Sequence, residues 1–321
     1  MSRILTGIQS TGTPHLGNIL GAIIPAIELS KKNNESFLFI ADLHSLTQIK
    51  DPKELKENTY STAATWLAFG LNPQKTIFYK QSDIPITTEL AWILSSYFPY
   101  QRLTLAHSFK DKSNDLKNVN AALFTYPMLM AADILLYDAN YVPVGKDQIQ
   151  HLEITRNVAS KFNNLHGETL IIPEAITDEK TKLIIGTDGQ KMSKSKNNII
   201  NIFLSDKQLK KQIMSIKTDS LPIESIKNPN TCNVFKLYSL IGNDAQVKQM
   251  KENYEKGGYG YGEAKSQLFN LILETYSKQR NTYNYLMDNR SEIDQILKEG
   301  SIRAKKIADQ VIKRVKSKLG I

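Results

Sequence analysis

The chain has 321 residues, 41% of them hydrophobic, and a formal net charge of +9, so it is long enough for one or two cored domains. It lacks the apolar run of about 18 residues that a transmembrane helix needs, and its first residues do not resemble a signal peptide. Cys232 is the only cysteine, which excludes an internal disulfide and a cysteine-cluster metal site. We therefore expect a cytoplasmic protein that does not bind a membrane.

The first two-thirds of the chain alternate strand and helix patterns. Asp51, Pro52 and Glu54 predict a capped helix start, and Pro127 is expected to open a helix that runs through Tyr137. Because strands separated by helices imply a parallel sheet, the predicted fold class is α/β, with a doubly wound, Rossmann-like sheet. The predicted strands are 3–9, 36–41, 76–79 and 141–144, and the predicted helices include 16–27 and 84–98.

After about residue 200 the patterns are all helical. Ser205 followed by Gln208 predicts a capped start for a helix over 204–216. Longer helical patterns follow on either side of a glycine-rich break at 257–262. We expect a catalytic domain over 1–200 and a helical domain over 201–321. The two longest predicted helices of the second domain are 263–287 and 301–319.

The positive charge is concentrated in the second part. Residues 1–200 hold 20 Lys and Arg against 19 Asp and Glu, a net of +1, whereas residues 201–321 hold 21 against 13, a net of +8. This excess indicates either a lysine-rich helical surface in water or a face that binds nucleic-acid phosphates. Charge alone does not decide between these two interpretations.

A first motif, TGIQSTGTPHLGN over 6–18, follows the first strand and opens a helix. Free N–H groups and the positive end of the helix dipole favour a phosphate at such a helix start. His15 would add a neutral or cationic donor there, and Gly17 leaves room for a flat base against the backbone. An ordinary strand–turn–helix connection would account for His-Leu-Gly alone.

A second motif, KMSKS over 191–195, is preceded by the glycine-flanked segment GTDG over 186–189. Two lysines on such a loop can reach phosphate oxygens and move during a reaction. Taken alone, this segment is also what a solvated lysine-serine loop looks like.

Together, the two motifs resemble the signatures of class I aminoacyl-tRNA synthetases. The segments DLHSLT at 42–47, MAADILLY at 130–137, VPVGKDQIQHLEITR at 142–156 and GGYG at 257–260 narrow the resemblance to bacterial-type tryptophanyl-tRNA synthetases, over nearly the whole chain. The resemblance implies activation of L-tryptophan with ATP and transfer of the product to the 3′-terminal adenosine of tRNA(Trp). It also implies a homodimer, Mg²⁺ carried by ATP without metal-binding side chains, and an anticodon-binding helical domain whose last helix packs on the catalytic domain.

The resemblance also assigns residues. Gln9, His15, Lys191 and Lys194 would be catalytic, stabilising charge on the departing pyrophosphate. The ATP-binding set would be Gln9, Ser10, Thr11, Gly17, Asn18, Gly145, Lys146, Asp147, Lys191, Met192, Ser193, Lys194 and Ser195. The tryptophan-binding set would be Leu5, Gly7, His44, Tyr126, Met130, Asp133, Val142, Val144 and Gln148.

Asp133 carries the specificity hypothesis. It stands in an apolar run, where a buried carboxylate needs a partner. Helical periodicity alone favours an exposed Asp133 on the wet face of the helix, whereas the resemblance makes it the acceptor of the indole N–H. An indole ring offers only a donor, so its pocket needs an acceptor.

Three residues depart from the family pattern. Leu5 stands where an aromatic residue is frequent, which affects the packing of the indole pocket. Ser10 replaces a frequent proline, and Lys196 stands where an acidic residue is common. None of the three replaces an assigned catalytic residue.

Three other functions are weighed against this one. A tyrosyl-tRNA synthetase shares both signatures but differs in motif spacing. A small-acid nucleotidyltransferase of the same superfamily would not need the basic helical part. A non-catalytic RNA-binding paralogue would not need Lys191, Lys194 and His15 intact.

Overall fold

The computed structural model describes residues 2–32, 35–104, 120–145, 148–177 and 184–321. Within them, five parallel strands form one sheet in the order β3-β2-β1-β4-β5. The chain builds outward from β1 to β3, then returns to place β4 on the other side of β1. The carboxyl ends of β1 and β4 therefore flank the switch point, where ligands bind in such folds. The strands are β1 (Arg3–Ile8), β2 (Glu35–Ile40), β3 (Ile77–Lys80), β4 (Tyr141–Pro143) and β5 (Glu174–Ile176).

Helices cover both faces of the sheet, which confirms the predicted α/β class. The first helical segment contains a π-helical turn, Ile19–Ile23, between its two α-helical parts. A 3-10 turn, Gln81–Asp83, follows β3. The helices of this part are α1 (Leu16–Asn18), α2 (Ile24–Ser30), α3 (Asp42–Ser45), α4 (Pro52–Ala68), α5 (Ile86–Ser95), α6 (Tyr100–Thr104), α7 (Ala121–Leu135) and α8 (Ile149–His166).

The described chain beyond residue 200 is helical, and up to Leu297 it packs on one face of the sheet through a shared apolar cluster. None of the helices in the described segments is long and apolar enough to cross a membrane. The helices are α9 (Asp206–Met214), α10 (Asn233–Tyr238), α11 (Asp244–Lys256), α12 (Tyr261–Thr275), α13 (Ser277–Asp288) and α14 (Arg290–Leu319).

Capping residues decide where the helices begin. The Asp51 side chain accepts from the N–H groups of Lys53 and Glu54 at 2.7 and 3.0 Å, so the predicted start of α4 is confirmed. The expectation that Pro127 opens a helix is wrong. The Asn120 side chain caps α7 by accepting from Leu123 N at 3.0 Å, and Pro127 lies inside the helix, where it removes one backbone N–H donor.

Two boundaries in the helical part also differ from the prediction. The single helix expected over 263–287 is divided at Tyr276, whose φ of −104° and ψ of 15° are not helical. Its ring is buried and lies 5.8 Å from the Phe69 ring, so packing across the layers overrides the helical pattern. The last helix starts at Arg290 instead of 301, because the chain remains helical through Gly300.

Gly300 marks where α14 crosses the edge of the sheet. A Cβ atom there would lie 1.7 Å from the carbonyl oxygen of Phe78 in β3, so only glycine allows this approach. Before Gly300, Ile293 and Leu297 join the apolar cluster on one face of the sheet. After it, the helix packs into the cluster on the other face through Ala304, Ala308, Val311, Ile312 and Val315.

Candidate active site

Asp133 lies at the centre of a buried polar group next to the switch point. Only 2% of it is exposed, so its predicted exposure on a wet helix face is wrong. His44 Nε2 lies 2.9 Å from its Oδ2, and the Gln81 amide donates to both carboxylate oxygens at 2.8 Å. Burial raises the pKa of the Asp133 carboxyl, while the contacts with His44 and Gln81 oppose that rise.

The partners of Asp133 hold one another as well. The backbone N–H of His44 donates to Gln81 Oε1 at 3.3 Å, which closes a ring of contacts among the three residues. Gln81 stands directly after β3, where polar residues of parallel sheets gather at the carboxyl edge. The sequence interpretation missed Gln81, although its position at a strand end was the available signal. A carboxylate offers about four acceptor positions, so Asp133 retains capacity for a further donor.

Four apolar residues of the predicted tryptophan-binding set belong to one apolar cluster or pack against it. Leu5 and Val142 are buried in the apolar cluster that also contains Ala132 and Ile134, the chain neighbours of Asp133. Met130 and Val144 are partly buried and pack against the same cluster. Gly7 is exposed, and a Cβ there would come within 2.5 Å of the Phe39 ring. The Asp133 carboxylate is thus a buried acceptor in a part of the structure that is otherwise largely apolar.

Two other residues of that set have polar roles. The Tyr126 ring meets the His44 ring edge-on at 6.0 Å between centroids, and the Tyr126 hydroxyl lies 2.5 Å from His151 Nε2. Gln148 occupies the N-cap position of α8, and its backbone N–H donates to Gly145 O at 2.9 Å. Gln148 is partly exposed and Gly145 exposed. The predicted ATP contacts Lys146 and Asp147 lie outside the described residues.

His15 begins the helix after the first turn. Its Nδ1 accepts from Asn18 N–H at 3.2 Å, and the Asn18 side chain accepts from His15 N–H at 3.2 Å. Burial, aided by the charge of Lys194, lowers the pKa of His15 to about 4. His15 is therefore neutral near pH 7, and because Nδ1 is an acceptor its proton lies on Nε2. Of the two predicted states, the neutral donor is the one favoured here.

The two sequence motifs touch. Lys194 Nζ donates to the carbonyl of Gly12 at 2.8 Å, across 182 positions of sequence. Gly17 N–H donates to Met192 Sδ at 3.3 Å, so the second motif also reaches the first helix start. Desolvation by burial lowers the pKa of Lys194 to about 8. The Lys194 ammonium of the second motif therefore lies directly beside the turn before His15 in the first motif, where a phosphate is expected.

Asn198 holds the second loop together and was not predicted as a site residue. It is 2% exposed, its side-chain oxygen accepts from Ser193 N–H at 2.8 Å, and its amide donates to Lys191 O at 3.1 Å. The same amide donates to the Asp188 carboxylate at 2.7 Å. One side chain thus fixes the backbone on both sides of Met192. Only an amide can donate and accept in this arrangement.

Ser10 anchors the first turn from inside. It is fully buried, and its hydroxyl lies 3.1 Å from Ser45 Oγ and 3.4 Å from Thr59 Oγ1. Its backbone is therefore the part of Ser10 that can face a nucleotide. Gln9 and Thr11, on either side, are partly exposed.

The remaining predicted residues lie on the open side of the second loop. Lys191 and Ser195 are exposed, and the Ser193 and Ser195 hydroxyls lie 3.3 Å apart. Lys196, the departure from the family pattern, donates to Gln190 Oε1 at 2.8 Å. The added charge at Lys196 is thus held at the rim of the loop.

Known proteins match this chain over its whole length. The family described as tRNA synthetases class I (W and Y) matches residues 1–277. A tryptophan–tRNA ligase of Campylobacter jejuni is 44% identical over 319 residues, which cover 99% of this chain and 100% of the relative. One of Fusobacterium nucleatum is 45% identical over 322 residues, covering 100% of this chain and 98% of the relative.

Solved structures of tRNA synthetases also match this chain. The tryptophanyl-tRNA synthetase of Campylobacter jejuni complexed with ADP and tryptophan has a TM-score of 0.96 at 44% identity, covering 99% of this chain and 100% of that chain. A tyrosyl-tRNA synthetase of Archaeoglobus fulgidus has a TM-score of 0.65 at 18% identity, covering 88% of this chain and 90% of that chain. The second likeness concerns the fold alone.

Proposed function

Because the chain belongs to the class I tRNA synthetases of the tryptophan and tyrosine type, we propose that it joins L-tryptophan to tRNA(Trp) at the expense of ATP. The observation that carries the choice of amino acid is Asp133, a buried carboxylate with acceptor capacity between apolar walls. Indole has one N–H donor and no acceptor, so it matches this pocket. The hydroxyl of a phenol, in contrast, both donates and accepts a hydrogen bond.

The first step is the attack of the tryptophan carboxylate on the α-phosphate of ATP, which releases pyrophosphate and leaves tryptophanyl-adenylate. Lys194 lies against the first turn, where it stabilises negative charge that grows on the departing pyrophosphate. Neutral His15 donates through Nε2 at the same helix start, and Lys191 adds charge from the exposed side. ATP enters with Mg²⁺ on its phosphate oxygens, which reduces their charge.

In the second step, a ribose hydroxyl of the terminal adenosine of tRNA attacks the adenylate carbonyl and releases AMP. No covalent bond to the protein is needed, so the site acts by positioning and electrostatics. The division into a catalytic domain, 1–200, and an anticodon-binding domain, 201–321, belongs to this proposal. So do the homodimer and the cytoplasmic location, where tRNA is charged.

Amino-acid-dependent ATP–pyrophosphate exchange, run with each of the twenty amino acids, tests the proposal. We expect exchange with tryptophan and little with any other amino acid. Preferential exchange with tyrosine would favour the tyrosyl enzyme instead. Exchange with no amino acid, together with no binding of tRNA, would support the small-acid nucleotidyltransferase.

The basic helical region offers a second test, since it would contact tRNA phosphates. The affinity for tRNA should fall as salt rises, with about one unit of log–log slope per phosphate contact. Alanine at the exposed residues Lys207, Lys211 and Lys236 should weaken aminoacylation and spare pyrophosphate exchange. Lys251, which pairs with Glu255 at 3.8 Å, gives a charge-matched control on the same surface. If no change separates the two activities, this charge only solvates the surface.

A further inference from the structure

Hydrogen bonds among three hydroxyl groups connect the helical region to the turn before His15 in the first motif. Tyr283 in α13 places its hydroxyl 2.8 Å from Ser61 Oγ in α4. Ser61 Oγ in turn donates to Thr13 Oγ1 at 3.0 Å. Because the single Ser61 proton goes to Thr13, the Tyr283 hydroxyl is the donor to Ser61. The chain of donors therefore runs from the helical region toward the turn.

The end of this chain adjoins the contact between the two motifs. Thr13 follows Gly12, whose carbonyl accepts from Lys194 Nζ. Gly12 has a φ of +124°, a conformation that glycine adopts readily and in which it loses more conformational freedom on folding than other residues do. The other end of the same turn is tied through Ser10 to Ser45 and Thr59. Thr13 is thus the second of two anchors of the turn.

The Tyr283 ring is fixed independently of its hydroxyl. It stacks on Phe203 with centroids 3.9 Å apart and planes at 16°, and only 8% of the residue is exposed. Ser61, between the two other hydroxyls, is 2% exposed. Water therefore has little access to the contact between Tyr283 and Ser61, and loss of the Tyr283 hydroxyl would not be readily repaired by solvent.

We propose that Tyr283 is a positioning residue for ATP: through Ser61 it fixes Thr13 and so the carbonyl of Gly12 that orients Lys194. The inference rests on the proposed function, because it assigns ATP to this turn. Tyr283 touches neither substrate in this arrangement. Its hydroxyl sets the geometry of the phosphate side of the site and leaves the Asp133 side untouched.

The test is Tyr283→Phe, which keeps the stacked ring and removes only the hydroxyl. In tryptophan-dependent pyrophosphate exchange, kcat/KM for ATP should fall about 3- to 10-fold, the size of one neutral hydrogen bond. The KM for tryptophan should stay within about twofold of the wild type, and Tm within about 2 °C. A merely structural role would lower Tm and move the parameters of both substrates together.

Two further variants make the test specific. Ser61→Ala should reproduce most of the ATP effect. Adding Tyr283→Phe to it should cost much less than Tyr283→Phe costs in the wild type, because only the direct contact of Tyr283 with Thr13 then remains to be lost. Tyr285→Phe is the matched control, because its hydroxyl contacts Glu292 on the exposed side of the same helix. It should leave ATP kinetics unchanged.

Unchanged ATP kinetics in Tyr283→Phe, equal losses for ATP and tryptophan, or additive effects with Ser61→Ala would each overturn the inference. Failure of the proposed function is distinguishable, because it shows in the wild type as absent tryptophan-dependent exchange. In that case the change in Tm on addition of Mg-ATP is measured for the wild type and for Tyr283→Phe, and the two changes are compared. An equal shift in both would then overturn the role of Tyr283.

Discussion

The amino-acid side and the phosphate side of the site are built in opposite ways. Around Asp133, three buried side chains bond to one another and are enclosed by the apolar core. Around Lys194, two loops meet through a backbone carbonyl and one weak N–H to sulfur contact. Under the proposed function, the groups that recognise the amino acid are thus in place before any substrate binds, whereas the phosphate contacts can exchange as pyrophosphate forms and leaves.

The same difference appears in what each part loses when one group is removed. Deleting Asp133 leaves donors of His44 and Gln81 buried without their partner, a cost in the folded protein itself. Deleting the Lys194 side chain frees the Gly12 carbonyl, and a half-exposed carbonyl can be satisfied by water. The first side should therefore show coupled effects on structure and selectivity, and the second an effect on chemistry alone.

Lys194→Ala should give the largest effect and sharpen this comparison. We expect the single-turnover rate of adenylate formation to fall by about 10²–10³, the size of one lost transition-state donor, with tryptophan affinity nearly unchanged. Lys196→Ala, whose ammonium contacts Gln190 at the rim of the same loop, is the control and should keep nearly full activity. A near-normal adenylation rate in Lys194→Ala would remove this residue from the mechanism.

Asp133→Ala comes next, with kcat/KM for tryptophan expected to fall about 10- to 150-fold. This range corresponds to about 1.5–3 kcal/mol for a hydrogen bond to a charged group. Tyrosine and phenylalanine should not be activated at useful rates in its place, because the pocket shape still suits a bicyclic ring.

A tryptophan analogue with sulfur in place of the indole N–H separates the bond from the shape of the pocket. It should be a poor substrate for the wild type and lose much less than tryptophan when Asp133 becomes Ala. Equal losses for both would mean that Asp133 acts through folding or pocket shape. In that case the amino-acid side would not recognise the indole N–H, and its contrast with the phosphate side would no longer hold.

The smallest expected effect is the pH dependence on the phosphate side. Burial lowers the pKa of Lys194 to about 8, and only its charged form attracts phosphate. At saturating tryptophan, kcat/KM for ATP should therefore fall about tenfold from pH 7 to pH 9. His15, with a pKa of about 4, should add no change between pH 6 and 8. Lys194→Arg stays charged and should flatten the profile, whatever its absolute rate; a profile that still falls in Lys194→Arg would assign the pH dependence elsewhere.

The sequence predicts the fold and the outline of the site better than it predicts contacts. Strand and helix periods and the caps of α4 and α9 are local, so they are readable from neighbouring residues. Gln81 and Asn198 act through partners 52 and up to 10 positions away, and the only local signal was the position of Gln81 at a strand end. The division at Tyr276 is likewise caused by packing on Phe69, which helical periodicity does not contain.

The passage of α14 over the sheet edge at Gly300 has a consequence for biosynthesis. β3 is an edge strand of the described sheet, and exposed edges invite pairing with other chains. Because α14 follows every strand in the sequence, the ribosome completes the sheet well before the helix that shields it. The nascent protein therefore carries an unprotected edge late into synthesis, when a chaperone is most useful. A substitution at Gly300 would prolong that exposure, so its first symptom should be aggregation during expression and only then a loss of catalysis.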